Sequence, residues 1–298
     1  MSQFTAIDLA QVPAPQVVEA LDFEQIYAAM LADLLERMPE FDAAVESEPV
    51  VKILEVAAYR ELLLRQRINN AAQAVMLPYA RRTDLDNLGA LFGVTRLLIT
   101  PADLTATPPV AAVYESDSDF RYRIQLSLEG LSTAGPEGAY VFHALSADGQ
   151  VLDASAISPQ PGVVLVTVLS RQGNGAPSPE LVATVLAGLS DESVRPLTDY
   201  VQVQPATIVP YQITATLYFY AGPDREVIMA NALQAITAYT EGQHRLGLDV
   251  TLSGIYAALH QPGVQRVDLA NPAANLIIDR QSASHCTAIN LIDGGLDE

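Results

Sequence analysis

Pro49-Val-Val-Lys-Ile-Leu-Glu-Val-Ala-Ala-Tyr-Arg-Glu-Leu-Leu-Leu-Arg-Gln-Arg-Ile-Asn-Asn-Ala-Ala-Gln-Ala-Val-Met-Leu77 continues for 28 residues past its opening proline without a glycine or a second proline. A proline costs little in the first turn of a helix, where its amide would have no partner, and nothing after it breaks the run. Ile53, Ala57, Leu64, Ile68, Ala71 and Val75 fall on one helical face, and Glu61 and Arg65 form an i,i+4 pair in the favourable order. At 1.5 Å per residue the helix would be roughly 40 Å long. The spacing predicts a bundle helix. Residues 1–105 hold too few apolar segments to cover it on all sides, so its remaining face is expected to be buried against another chain.

Upstream, Phe23, Ile26, Tyr27, Met30, Leu31, Leu34 and Leu35 repeat at three and four until Pro39, predicting a second helix over 22–38. Residues 1–20, with Pro13 and Pro15 and scattered apolar groups, read as an extended arm. Downstream, Thr83 with Asp86 reads as a capped start leading through Leu85, Leu88 and Leu91 to a stop at Gly93. Thr100-Pro-Ala-Asp103 and Thr107-Pro-Pro109 then mark the best candidate boundary, which sets off a helical domain at 21–105.

Beyond the boundary the periodicity changes. Over 106–205, Ser118 is expected to cap a short helix and Pro136 to open another. Val151–Ile157 and Val163–Leu169 form a hairpin through Ser158-Pro-Gln-Pro-Gly162, Pro179 starts a helix, and a strand over Tyr200–Val203 closes near Pro205. Over 206–298, Ile213, Ala215, Leu217 and Phe219 alternate with polar neighbours as a strand does. A helix over 224–239, one capped by Ser253, and short strands at 264–269, 276–278 and 288–292 follow, and Asp293-Gly-Gly-Leu-Asp-Glu298 reads as a frayed tail. The fold class is multidomain α+β: a helical region with one long bundle helix, then two small α+β domains.

Composition narrows the function. The chain has 298 residues, 50% of them hydrophobic and 17% charged, with 16 basic against 35 acidic side chains for a net charge of −19. That charge repels a phosphate backbone, so nucleic acid is not an expected partner. No apolar run is long enough to span a bilayer, and the single cysteine, Cys286, excludes an internal disulfide framework. With no positive leader at the amino terminus, the default compartment is cytoplasmic. Residues 1–50 carry ten acids against one arginine, whereas 51–100 carry seven bases against four acids. This local reversal of sign points to a surface that meets something acidic, such as the first fifty residues of another copy. Fifteen of the sixteen basic residues are arginine, the cation favoured in interface cores.

The motifs that could carry chemistry are weak. Gly173-Asn-Gly-Ala-Pro-Ser178 sits between a strand and a helix, as a dinucleotide turn does, but its final residue is serine, and two prolines remove amides that would hold phosphate. Asp84-Leu-Asp-Asn-Leu-Gly89 resembles the front of a calcium loop but lacks the fifth and twelfth ligands. Asp117 with Asp119 could serve acid–base hydrolysis, although acids at helix starts are more often caps. The four histidines lack metal-ligand spacing, and His285 and Cys286, as strand neighbours, point to opposite faces. No cofactor, metal or catalytic residue is expected. The alternatives left standing are an acidic soluble hydrolase working through Asp117 and Asp119, and a nucleotide-binding module built on the Gly173 loop.

One resemblance runs along most of the chain. Glu48-Pro-Val-Val-Lys-Ile-Leu-Glu55, Ala58-Tyr-Arg-Glu-Leu-Leu-Leu-Arg-Gln-Arg-Ile-Asn69, Tyr79-Ala80, Asp84-Leu-Asp86 and Phe92-Gly-Val94 occur in order. Phe120-Arg-Tyr-Arg-Ile124, Ser132-Thr-Ala-Gly-Pro136, Pro161-Gly-Val163, Val194-Arg-Pro-Leu-Thr-Asp199 and Leu246-Gly247 follow. Together they resemble the baseplate assembly protein J family of contractile-tail bacteriophages. The pair Arg81-Arg82 departs from the pattern, standing where the family is expected to have a glycine. The resemblance implies a structural role in a baseplate wedge: copies of the chain join a smaller partner of the protein I type and a sheath initiator of the protein W type. The wedges close a sixfold ring around the hub, and its rearrangement triggers sheath contraction. The implied location is the virion tail baseplate, assembled in the host cytoplasm without membrane insertion. No catalytic residues belong to the family. The helix carrying Arg60, Arg65 and Arg67 is therefore expected to pack against a partner, with Asn69, Tyr79, Arg81 and Arg82 completing the interface.

Overall fold

The computed structural model describes residues 9, 12–13, 21–41, 48–132, 134–192, 194–222 and 224–297. The arm expected over 1–20 lies almost wholly outside them. The chain divides into two compact units. One holds the described residues up to Thr95 together with Asp117–Arg121; the other holds Arg96–Ser116 and the chain from Tyr122 onward.

In the first unit, helix α1 (Phe23–Arg37) begins on Asp22, whose carboxylate accepts the Gln25 amide at 3.1 Å. It packs along α2 (Pro49–Ala74), burying Ile26 with Val51 and Ala58. A tight turn leads into α3 (Arg82–Leu91). Thr83 does not cap this helix as expected. It lies inside it, the cap residue is Arg81, and no side chain of the cap accepts a bond. The acceptor comes instead from Asp117, 35 residues on, whose carboxylate takes the Arg82 amide at 3.1 Å. Asp117 itself opens α4 (Asp117–Gly130), so Ser118 sits within that helix rather than ahead of it. From the first turn of α4, Phe120 is fully buried over Gly89, where a Cβ would lie 2.5 Å from the ring. Arg121 donates to the carbonyls of Leu77 and Ala80, each at 2.7 Å, and closes the turn between α2 and α3.

The second unit opens with a two-stranded antiparallel ribbon, β1 (Leu98–Thr100) and β2 (Val113–Tyr114). Gly149 lets this ribbon approach closely, because a Cβ there would meet the Leu98 carbonyl oxygen at 2.2 Å, and Gln150 donates to the Ile99 carbonyl at 2.6 Å. At the base of the ribbon Glu115 and Arg123 are buried, their side chains 3% and 4% exposed. The guanidinium is bidentate, Nε and Nη2 reaching the two carboxylate oxygens at 2.7 and 2.8 Å, while Nη1 donates to Ser146 Oγ at 3.0 Å. The Leu97 amide also donates to this carboxylate at 3.2 Å, and Arg96 donates to the Glu115 carbonyl at 2.7 Å. Desolvating two charges costs several kcal/mol each, and only so complete a set of bonds offsets it.

After α5 (Glu137–Ala147), strands β3 (Val151–Gln160) and β4 (Val163–Ser170) form the expected hairpin. Helix α6 (Pro179–Leu189) is capped by Ser178 and crosses over so that β5 (Tyr200–Pro205) runs parallel to β4, giving the order β3-β4-β5. The inner face of β4 carries Val166 and Val168, which pack on Tyr140 and Ala144 of α5 and on Leu181, Val185 and Leu189 of α6.

Strand β6 (Thr207–Phe219) follows at once and is the centre of a second sheet, β7-β6-β8. It is covered by α7 (Arg225–Gln243) and α8 (Leu252–Leu259), and paired with β7 (Val264–Asn271) antiparallel and β8 (Ser282–Leu296) in parallel. Ile213, Ala215, Leu217 and Phe219 all have no exposed surface and face Ile228, Ala232 and Ile236 of α7. The two sheets are joined within this unit. Ala206 donates to the Val168 carbonyl at 2.9 Å, Ser155 donates to that of Arg280 at 2.5 Å, and Leu169, Ala206 and Ala283 share a small buried cluster.

Three local expectations for the C-terminal part are corrected. Helix α8 is capped by Thr251, whose hydroxyl accepts the Gly254 amide at 3.1 Å, so Ser253 lies inside it. The strand expected at 276–278 is reduced to a single bridge between Leu276 and Val250. Residues 293–296 extend β8 beside β6 rather than fraying.

Two tests arise here. Glu115→Ala leaves a buried guanidinium without its partner and is expected to destabilise by about 3–5 kcal/mol, read from the urea midpoint, whereas Glu115→Leu with Arg123→Met restores part of the loss. The second concerns protons. Burial pushes the His143 imidazole below its usual range, opposed by a contact of Nε2 with the Gly130 carbonyl at 3.2 Å, and burial together with His244 does the same to His285. The unfolded chain then binds more protons than the folded one below the ordinary imidazole value of about 6.5. Stability is complete above that pH and falls as pH drops through it. Thermal melts between about pH 7.5 and 5.5 are expected to show this fall, and His143→Gln to reduce it.

Candidate assembly interface

Helix α2 has two unlike faces. Val51, Ala58 and Asn69 are buried in its own unit. Ile53, Val56, Leu64, Ile68 and Val75 face solvent, and their exposures of 62–70% leave a long aliphatic stripe uncovered. This is the face that the helical period marks as apolar. Bare aliphatic side chains aligned along one helix face are the kind of surface that contacts use, which makes this face the candidate.

The seven expected interface residues separate by position. Arg60 and Arg67 are exposed, seven residues apart along the same stripe. Arg65 is half-buried on the side facing α1, where its Nε donates to Glu61 at 2.9 Å, and both line a cleft of about 360 Å³ with Asp22, Gln25, Met30 and Asp33. Asn69 is only 5% exposed, so its amide serves the interior of the unit. Tyr79 is half-buried and donates its hydroxyl to the Val12 carbonyl at 2.8 Å. Arg81 and Arg82 are exposed at the start of α3, as its cap and its first residue. What residue-by-residue reading missed is the anchoring set Glu115, Phe120, Arg121 and Arg123. Three of these lie in the Phe120-Arg-Tyr-Arg-Ile124 string, whose alternating cations were the available signal.

Arg82 accounts for the missing glycine. Its φ is +49°, the left-handed region in which a Cβ crowds the backbone, so an arginine occupies a conformation that glycine adopts freely.

The sites considered for chemistry are otherwise engaged. In the Gly173 loop the Gly175 amide donates to Gln172 and its carbonyl accepts from Ser170, the Ala176 amide donates to Asn174, and Ser178 caps α6. Asp117 holds the start of α3. Burial raises the Cys286 thiol above its usual range, away from a nucleophilic thiolate. Among the described residues no group of His, Cys, Asp or Glu is placed to hold a metal ion, and no helix is long and apolar enough to cross a membrane.

Arg82→Gly is expected to raise stability by about 1 kcal/mol, because relief of the left-handed strain exceeds the extra freedom given to the unfolded chain. Matched urea titrations of the two proteins check it.

Comparison with known proteins agrees along the whole length. Three family models match in order: the Baseplate J-like N-terminal domain over residues 46–103, the Baseplate J-like central domain over 132–205, and the Baseplate J-like protein C-terminal domain over 211–292. Baseplate protein J of Escherichia phage P2 is 53% identical over 299 residues, spanning 98% of this chain and 99% of its own. A chain in the cryo-EM structure of the anti-feeding prophage baseplate, 6-fold symmetrised, is 13% identical with a TM-score of 0.40; the match covers 60% of this chain and 43% of that one. With its long helix, hairpin and paired sheets in the order these matches run, the chain belongs to the Baseplate J-like family.

Proposed function

We propose that this chain is a wedge subunit of a contractile-tail baseplate, acting in baseplate assembly and in the ring rearrangement that triggers sheath contraction. A Baseplate J-like protein is a structural component of the phage baseplate and not an enzyme. The observation that carries the finer reading is the uncovered stripe of α2. Covering exposed aliphatic side chains favours association, and this helix presents four of them along one face, with Val75 just past its end. Arg60 and Arg67 lie along that face within the one stretch of the sequence whose local charge is positive, which suits an acidic partner. In this reading the partners are further copies of the chain, a smaller baseplate protein of the protein I type and a sheath initiator of the protein W type. The particle forms in the host cytoplasm and ends in the virion tail.

Arg60→Glu with Arg67→Glu, and separately Ile68→Asp, place charge or repulsion on exposed positions that the fold does not use. Co-expression with the two neighbouring tail proteins, followed by pull-down and electron microscopy, is expected to show at least about tenfold less complex for each variant at unchanged melting temperature. Complexes recovered in full from both variants would remove α2 from the interface.

A further inference from the structure

The end of β8 is fastened unlike the rest of its sheet. Up to Leu291 the strand packs into the C-terminal core, but Ile292 and Leu296 are 50% and 62% exposed, so residues 292–297 gain little from apolar burial. What holds them is polar. Asp293 pairs with Arg225 at 3.2 Å, Asp297 pairs with Arg266 at 2.9 Å, and the Asp297 amide donates to the Phe219 carbonyl at 3.1 Å. Arg266 also reaches Asp268 at 2.6 Å and lies 4.0 Å from the centre of the Tyr218 ring. Gly294 passes so close to that ring that a Cβ would fall 2.7 Å from it, and Gly295, at φ +88°, turns the strand where its register with β6 shifts. Two glycines and two arginines thus seat a short acidic segment on a protein that already carries a net charge of −19.

We infer that residues 293–297 form an electrostatically latched strap, which opens as a unit while the sheet beneath stays closed. Both arginines and both aspartates are 36–46% exposed, so salt reaches the latch. Once open, the strap leaves the Phe219 end of β6 without a neighbour on that side, an unpaired strand edge of the kind to which another strand adds. The device is independent of the α2 surface.

Hydrogen–deuterium exchange on the full chain tests it. Backbone amides of 293–297 are expected to exchange roughly tenfold faster in about 1 M sodium chloride than in about 0.02 M, as screening weakens the exposed pairs, with 211–215 unchanged. Arg266→Gln is expected to give the fast exchange already at low salt. Asp297→Asn does the same without disturbing the Tyr218 contact, and decides the matter if the arginine variant misfolds. Salt-independent exchange of the segment, or its opening only together with 211–215, would overturn the latch.

Discussion

A guanidinium and a carboxylate withdrawn from water at the base of the ribbon govern the second unit. Arg123 and Glu115 make sense only as a complete set, with both oxygens and all three nitrogens engaged, and that set ties Arg123 of α4 to Glu115 at the base of the ribbon and to Ser146 of α5. Sequence neighbours of the pair do comparable work in the other unit, where Phe120 fills the space over Gly89 and Arg121 ties down the turn after α2. Of the string Phe120-Arg-Tyr-Arg-Ile124, the first two residues belong to the first unit and the last three to the second.

Helix α2 divides its aliphatic groups between two faces. Val51 and Ala58 are buried and Leu54 and Leu62 are half-buried within the unit, while Ile53, Val56, Leu64 and Ile68 are exposed. Such a row of exposed aliphatic groups adds nothing to the stability of its own unit, which is the physical ground for reading it as a contact face.

Much of this was legible from residue patterns. The helical period of 49–77, the hairpin either side of Pro161-Gly162 and the proline at the start of α6 all act through neighbours in sequence, and the α+β multidomain class follows from them. What sequence could not supply was long-range. Thr83 and Ser118 look like caps, but the acceptor for α3 comes from Asp117; Thr251 and Ser253 offer the same hydroxyl, and packing of α8 selects the first. Asp293-Gly-Gly-Leu-Asp297 reads as loose because its arginine partners are far away in the chain. On α2, Arg60 and Arg67 are exposed, while Asn69, polar by type, is interior. No local signal distinguishes an amide that faces water from one that serves a helix pair.

The central strand of the last sheet lies beside β8 in parallel along most of its length, and β8 arrives only after two helices and β7. Such a pairing is costly in loop entropy and late in any folding sequence. A ribosome-bound chain that has made β6, α7 and α8 still lacks the partner that closes the sheet. Truncated or stalled products would thus carry an unfinished C-terminal layer and a strand edge open to misassociation. Any chain that stops short of β8 therefore leaves open, along one side of β6, the backbone donors and acceptors that β8 would have taken.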